Sequence, residues 1–341
     1  MQFGNFFEDF RIGDTLEHTP RRTVTEGDAA VYLSLTGDRH PLFCDAEFAR
    51  RIGYKREVLN DLLVFHLVFG KSVPDVSLNA VANLGYARVL FPRPTYPGDT
   101  LRARSKVLGK KENSNGQTGN VYVRTSGFNQ RGEIACEFVR WVMVRKKDPG
   151  TATGFKDEPL LPKDVPADKL TVDAELDLSR WSATAAAGPR YFEDYVPGER
   201  IHHGAGMTID EAEHAMATRL YQNTARVHFD AHYVQRISGG RRLVYGGHVI
   251  SVARALGFNG LENALRIAAW NSGTHANPTH AGDTLHAWSD VLACEPVTGR
   301  DDVGALRIAL IAVKNQDPVE QPIELRVFDP QRGREVYHPN V

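Results

Sequence analysis

Two short stretches of the chain concentrate side chains that could hold or move a proton. One runs Tyr221-Gln-Asn223-Thr-Ala-Arg226-Val-His228-Phe-Asp230, directly after a helical pattern. The other runs Tyr32-Leu-Ser-Leu-Thr36-Gly37-Asp38-Arg39-His40-Pro41-Leu42-Phe43-Cys44-Asp45. An imidazole exchanges its proton near neutral pH, so His228 and His40 are the candidate acid–base groups, with Asp38 two residues from His40 as a local partner. Asn223 can orient a water by hydrogen bonding but cannot act as a base. Arg226 brings a planar guanidinium that could take a carboxylate through two parallel hydrogen bonds, or serve as a surface ion-pair partner. Further on, Val244-Tyr245-Gly246-Gly247-His248 enters an apolar helical pattern through two glycines. Backbone N–H groups at such a start, backed by the positive end of the helix dipole, could stabilise charge developing on a carbonyl oxygen. The glycines could also be there only for close packing. The matching place after the first stretch reads Leu59-Asn60-Asp61, where a carboxylate would oppose that charge.

The two stretches match because the chain repeats itself. Phe7-Glu8-Asp9-Phe10 with Gly13-Asp14 returns as Phe192-Glu193-Asp194-Tyr195 with Gly198-Glu199, and the same shift of 185 residues carries Asp45 onto Asp230 and Ile52 onto Ile237. Pro97-Gly98-Asp99-Thr100-Leu101 returns one residue early, as Ala281-Gly282-Asp283-Thr284-Leu285. Aligned phrases at a nearly constant shift mark a duplicated domain. Prolines at 149, 159, 162, 166 and 189 and the stretch SATAAAG (182–188) read as a surface connection. The expected division is therefore residues 1–147, a connector over 148–190, and residues 191–341.

Each half has the same coarse order. Helical patterns run Glu26–Leu35 and Ile209–Leu220, followed by the more apolar Val58–Val73 and His248–Leu256. Strand patterns follow at Thr100–Val107, Val121–Gly127 and Cys136–Val144, matched by Thr284–Ala293, Ala305–Val313 and Ile323–Phe328, with Asn-Gly and Arg-Gly turns between them. One apolar helix with several long antiparallel strands predicts an α+β unit in which a sheet wraps a helix.

Both reactive stretches resemble the signature of the MaoC-like, R-specific enoyl-CoA hydratases, roughly Ser/Thr-Gly-Asp-x-Asn-Pro-Leu-His-x-Asp. The Pro-Gly-Asp-Thr-Leu phrase is similar to that family's second recurring phrase. The resemblance covers nearly the whole chain, twice over. It implies a double hot-dog fold whose halves pair as a pseudo-dimer, and an Asp–His pair that holds the water added to, or removed from, an acyl-CoA double bond. Neither half keeps that pair intact. The first half has Asp38 but Phe43 at the histidine position, and His40 where the family has asparagine; the second half has His228 but Asn223 at the aspartate position. His228 with Asn223 and the glycine entrance favour the second half as the working site, leaving a first half that shapes the pocket or holds the coenzyme A. Arg226 stands where the family has proline. A guanidinium at that place points to a branched or straight C4–C5 dicarboxylic acyl-CoA, and segments such as LTGDRHPLF and LYQNTARVHFD resemble those of MaoC-like hydratases that act on such a substrate.

Composition narrows the rest. The chain has 341 residues, 42% of them hydrophobic and 24% charged, and a formal net charge of -1, which gives no footprint for nucleic acid or an anionic membrane. Three scattered cysteines argue for a reducing compartment and against a disulfide framework or thiolate zinc site. The start, MQFGNFFEDF, has no apolar run like that of a signal peptide, and no stretch approaches the length of a membrane helix. The expectation is a cytoplasmic enzyme with no metal and no cofactor beyond the coenzyme A carried by its substrate, and homo-oligomerisation left open. Competing expectations are hydration of other (R)-3-hydroxyacyl-CoA thioesters, a hot-dog thioesterase, and a non-catalytic acyl-CoA binding protein. A thioesterase usually places a carboxylate on the central helix, and Val249–Leu256 has none.

Overall fold

The computed structural model describes residues 4–182, 188–238 and 240–341, so most of SATAAAG lies outside the described residues. The first half is organised around α4 (Asp61–Val76), which is buried on nearly every side, as an all-round apolar sequence requires. Asn60 starts it by accepting the Leu62 N–H through its side chain. Before α4 come α1 (Glu26–Thr36), α2 (Pro41–Cys44) and α3 (Ala46–Arg51). An antiparallel sheet wraps α4 in the order β1 (Thr15–Thr23), β3 (Thr100–Glu112), β4 (Thr118–Phe128), β5 (Ile134–Arg145), β2 (Ala80–Leu90). The short β6 (Lys156–Asp157) adds to β3. β3 alternates buried and exposed side chains, the pattern of a strand with one face on the core. At the centre, the Phe65 ring lies 4.9 Å from both Phe138 and Trp270. Removing that ring would cost about 3–5 kcal/mol.

The second half repeats the plan with α5 (Glu211–Leu220), α6 (Ala231–Ser238) and the central helix α7 (Gly246–Leu256). Its sheet runs β7 (Arg200–His202), β10 (Thr284–Pro296), β11 (Gly304–Lys314), with β8 (Met207–Thr208) also on β10. β9 (Ala269–Gly273) crosses over and pairs with β2, from Tyr86↔Gly273 to Leu90↔Ala269, so one sheet contains strands of both halves. Where the central helices meet, His66 Nε2 and Ser251 Oγ are 2.7 Å apart. These two residues are one repeat length apart, so equivalent positions face each other across the pseudo-two-fold axis. Among the described residues no helix is long and apolar enough to cross a membrane.

Two expectations need correcting, and two strands have no expectation at all. Only the end of Ile323–Phe328 is a strand, and it does not join the main sheet of its half: β12 (Arg326–Asp329) pairs with β13 (Arg334–Tyr337) as a separate hairpin. A short loop closes at small entropic cost, and Asp329 Oδ1 tightens this one by accepting the N–H groups of Gln331 and Arg332, so local pairing displaces the distant one. Among the described residues β11 pairs only with β10, so no strand there takes the place that β5 has in the first half. The connector is also more than a surface tether: Val165 and Leu176 are buried, and the Asp177 N–H donates to the Ile52 carbonyl. Finally, β2 and β9 had no sequence signal. β2 lacks clean alternation and carries Gly85, against which the Trp141 ring packs.

Candidate active site

A cavity of about 1840 Å³ opens between the halves, and Asn223, His228, Tyr245, Gly246, His275 and Tyr86 all line it. His228 ends a single 3₁₀ turn, Arg226–His228. Its Nδ1 lies 3.0 Å from the Leu243 carbonyl oxygen, so Nδ1–H donates there and Nε2 keeps a free lone pair. Burial pushes the imidazole pKa down to about 4, which keeps it neutral at pH 7. The Tyr245 ring braces it edge-on at 5.6 Å.

Asn223 is buried, and its Oδ1 accepts the Ala225 N–H at 3.0 Å, which leaves the amide NH₂ as a donor. The loop that carries it leans on α4. A Cβ at Gly70 would collide with the Tyr221 carbonyl, so a glycine is required there for Asn223 to sit where it does.

The Gly246 and Gly247 N–H groups, the first two of α7, donate to no described acceptor. Both glycines are also required by packing: a Cβ at Gly246 would strike the His275 ring, and one at Gly247 the Tyr245 ring. At Gly246, which lines the cavity, an open N–H and close packing are served by the same residue. His275 lies outside both motif stretches. It comes from the loop after β9, its Nε2 lies 3.0 Å from the Tyr86 hydroxyl, and burial lowers its pKa to about 4. Its counterpart one repeat earlier is Leu90, so no pattern in the sequence marks it.

The remaining candidates lie elsewhere. Arg226 does not face the cavity. It is half exposed, pairs with Asp230 at 2.6 Å and stacks over Tyr233 at 4.1 Å, so the expected substrate-carboxylate role does not fit its position. Asp38 and His40 are together in the first half, but in a space of only about 10 Å³. Asp38 accepts the His40 N–H at 3.0 Å and the Asn60 amide at 2.7 Å, and burial raises its pKa. His40 uses both ring nitrogens, Nδ1 to accept the Leu42 N–H and Nε2 to donate to the Ala264 carbonyl, and burial holds its pKa down at about 3. Its fit there is that of a helix cap. Asp61 is closed off by an ion pair with Arg266.

The sequence model of the mesaconyl-CoA hydratase family matches residues 1–323. A β-methylmalyl-CoA dehydratase of Chloroflexus aurantiacus is 53% identical over 313 residues, 92% of this chain and 89% of that protein. The crystal structure of a MaoC domain protein dehydratase from the same organism superposes with a TM-score of 0.92 at 50% identity, covering 99% of this chain and 94% of that one. A Mycobacterium tuberculosis protein described as a double hot-dog fold, RV0216, superposes with a TM-score of 0.80 at 27% identity, covering 94% of each chain. The chain is a double hot-dog protein and belongs to the mesaconyl-CoA hydratase family.

Proposed function

We propose that the chain is a hydro-lyase that reversibly hydrates a short dicarboxylic enoyl-CoA, mesaconyl-CoA giving β-methylmalyl-CoA, at the site in its second half. The observation that carries this is the meeting of a neutral His228, the Asn223 amide and Gly246, whose N–H at the start of α7 donates to no described acceptor, in one cavity. Asn223 holds a water, and His228 Nε2 takes its proton as the oxygen adds to C3 of the enoyl group. The negative charge passes to the thioester oxygen, where the Gly246 and Gly247 N–H groups receive it. An asparagine cannot supply the second proton, so the imidazolium returns the one it took to C2, and one residue serves as both base and acid. Dehydration runs the same steps backwards.

Family membership supports the dicarboxylic substrate; Arg226 does not. No cofactor is needed beyond the coenzyme A of the substrate. The free thiols of Cys44, Cys136 and Cys294 fit a reducing cytoplasm, and the fused halves supply the pseudo-dimer without a second chain. α7 contains no carboxylate, which disfavours thioester hydrolysis.

The test is loss of the enoyl-thioester absorbance on mixing protein with mesaconyl-CoA, beside crotonyl-CoA and a His228→Ala variant. Fast loss with mesaconyl-CoA, slow loss with crotonyl-CoA and a dead variant are expected. Full activity in the variant would return the site to Asp38 and His40. Coenzyme A release without hydration would make the protein a thioesterase.

A further inference from the structure

His275 is enclosed by protein, lines the cavity and has no role in the chemistry above. Two features decide what its ring presents. Its Nε2 is 3.0 Å from the Tyr86 hydroxyl, while its Nδ1 hydrogen-bonds to no described residue and lies against the Cα of Gly246 at the start of α7. Tyr86 stands opposite Arg140, its direct cross-strand partner on β5. Arg140 is fully buried with no carboxylate partner among the described residues: Nη2 donates to Ser72 Oγ at 2.8 Å and its guanidinium lies 4.1 Å over the Phe69 ring. A positive charge beside a phenol favours the orientation with the oxygen lone pairs towards it and the hydrogen away. The Tyr86 hydrogen then points at His275 Nε2, which must accept, and the ring proton is left on Nδ1, beside Gly246, whose N–H donates to no described acceptor.

We propose that His275 Nδ1–H is a third donor to the substrate's thioester oxygen, and that Tyr86 of the first half is the positioning residue that fixes its tautomer. The idea rests on the hydratase reading for its substrate but not for its geometry. It gives the non-catalytic half a part in the chemistry: the uncompensated Arg140, through Tyr86, orients a neutral dipole at the place where charge develops.

Two readouts test it. The first is the bound enolate of acetoacetyl-CoA, an acyl-CoA whose enolate absorbance reports the strength of donors at the thioester oxygen without turnover. The second is kinetics on mesaconyl-CoA, with the melting temperature checking the fold of each variant. Loss of one such donor lowers kcat by about 10²–10³-fold. His275→Ala should show that loss with little change in KM and a weakened enolate band. His275→Asn, which can place an amide N–H near Nδ1, should recover part of both, and Tyr86→Phe should fall between. A purely structural role would affect Ala and Asn alike and lower the melting temperature with them. If His275→Ala keeps the enolate band and kcat, or if imidazole nitrogen NMR finds His275 protonated on Nε2, the proposal falls. If wild-type protein ignores mesaconyl-CoA yet polarises acetoacetyl-CoA in a His275-dependent way, the substrate assignment falls and this inference stands.

Discussion

At equivalent positions one repeat apart, the two halves make opposite choices. Asp38 and Asn223 form the same turn, each accepting a backbone N–H two residues on at 3.0 Å. In the first half the other Asp38 oxygen is taken by Asn60, whereas the residue at that place in the second half is Tyr245, which braces His228. The first residue of the central helix is Asp61 in one half, paired with Arg266, and Gly246 in the other, with a bare N–H. Arg266, which helps close the first site, corresponds to Val81 in the second, a residue on the wall of the open cavity. Phe43 stands where the second half has His228. One scaffold therefore yields a filled site or an open one through a handful of side chains. What separates them is less the loss of an acid or base than whether anything polar is left unsatisfied and reachable.

The comparison breaks most sharply if first-half residues are carried into the second half. Gly246→Asp would place a carboxylate where enolate charge must be stabilised and force it against His275. Together with His228→Phe, it should lower kcat by about 10²–10⁴-fold each, measured by enoyl-thioester absorbance. In the first half the expected damage is to stability. Arg266→Ala leaves Asp61 buried without its partner and should destabilise the fold by about 3–5 kcal/mol in urea titration.

pH sharpens the same contrast. His40, His228 and His275 have folded pKa values of about 3, 4 and 4, below the usual histidine value, so the unfolded chain binds more protons between those values and about 6.5. Their contribution to stability is therefore complete above about pH 6.5 and is lost as the pH falls towards 4. The melting temperature should drop between pH 7 and pH 5. The acid limb of the rate profile should instead fall near pH 4, where His228 loses its neutral form. An acid limb near 6.5 would show that His228 is not the base. The smallest effect is expected at Arg226: Arg226→Ala removes an exposed, solvent-screened ion pair, so it should barely move the melting temperature and should leave the preference between mesaconyl-CoA and crotonyl-CoA unchanged.

Residues that act through the repeat were legible in the sequence. The duplication predicted the scaffold, and the motif position of His228 and the glycines of α7 predicted what would meet in one place. Residues that depend on contacts between halves were not legible. Nothing near His275 in sequence announces Tyr86, which is 189 residues away. β9 is a strand because β2 offers it an edge, not because its own five residues alternate. For Arg226 the sequence leaves two roles open, and its ion-pair role has a local signal: Asp230 lies four residues on, the spacing of an intramolecular ion pair. At the carboxyl end, the alternation of Ile323, Leu325 and Val327 was real, but a nearby partner strand captured it.

The pairing of β9 with β2 also governs how the molecule would come apart. A protease that cuts the connector would sever the covalent link but leave an antiparallel ladder and the buried His66–Ser251 contact between the fragments. The nicked protein should run as a single species on gel filtration and separate only in denaturant. The linkage between the halves is thus made twice, once by the chain and once by the sheet.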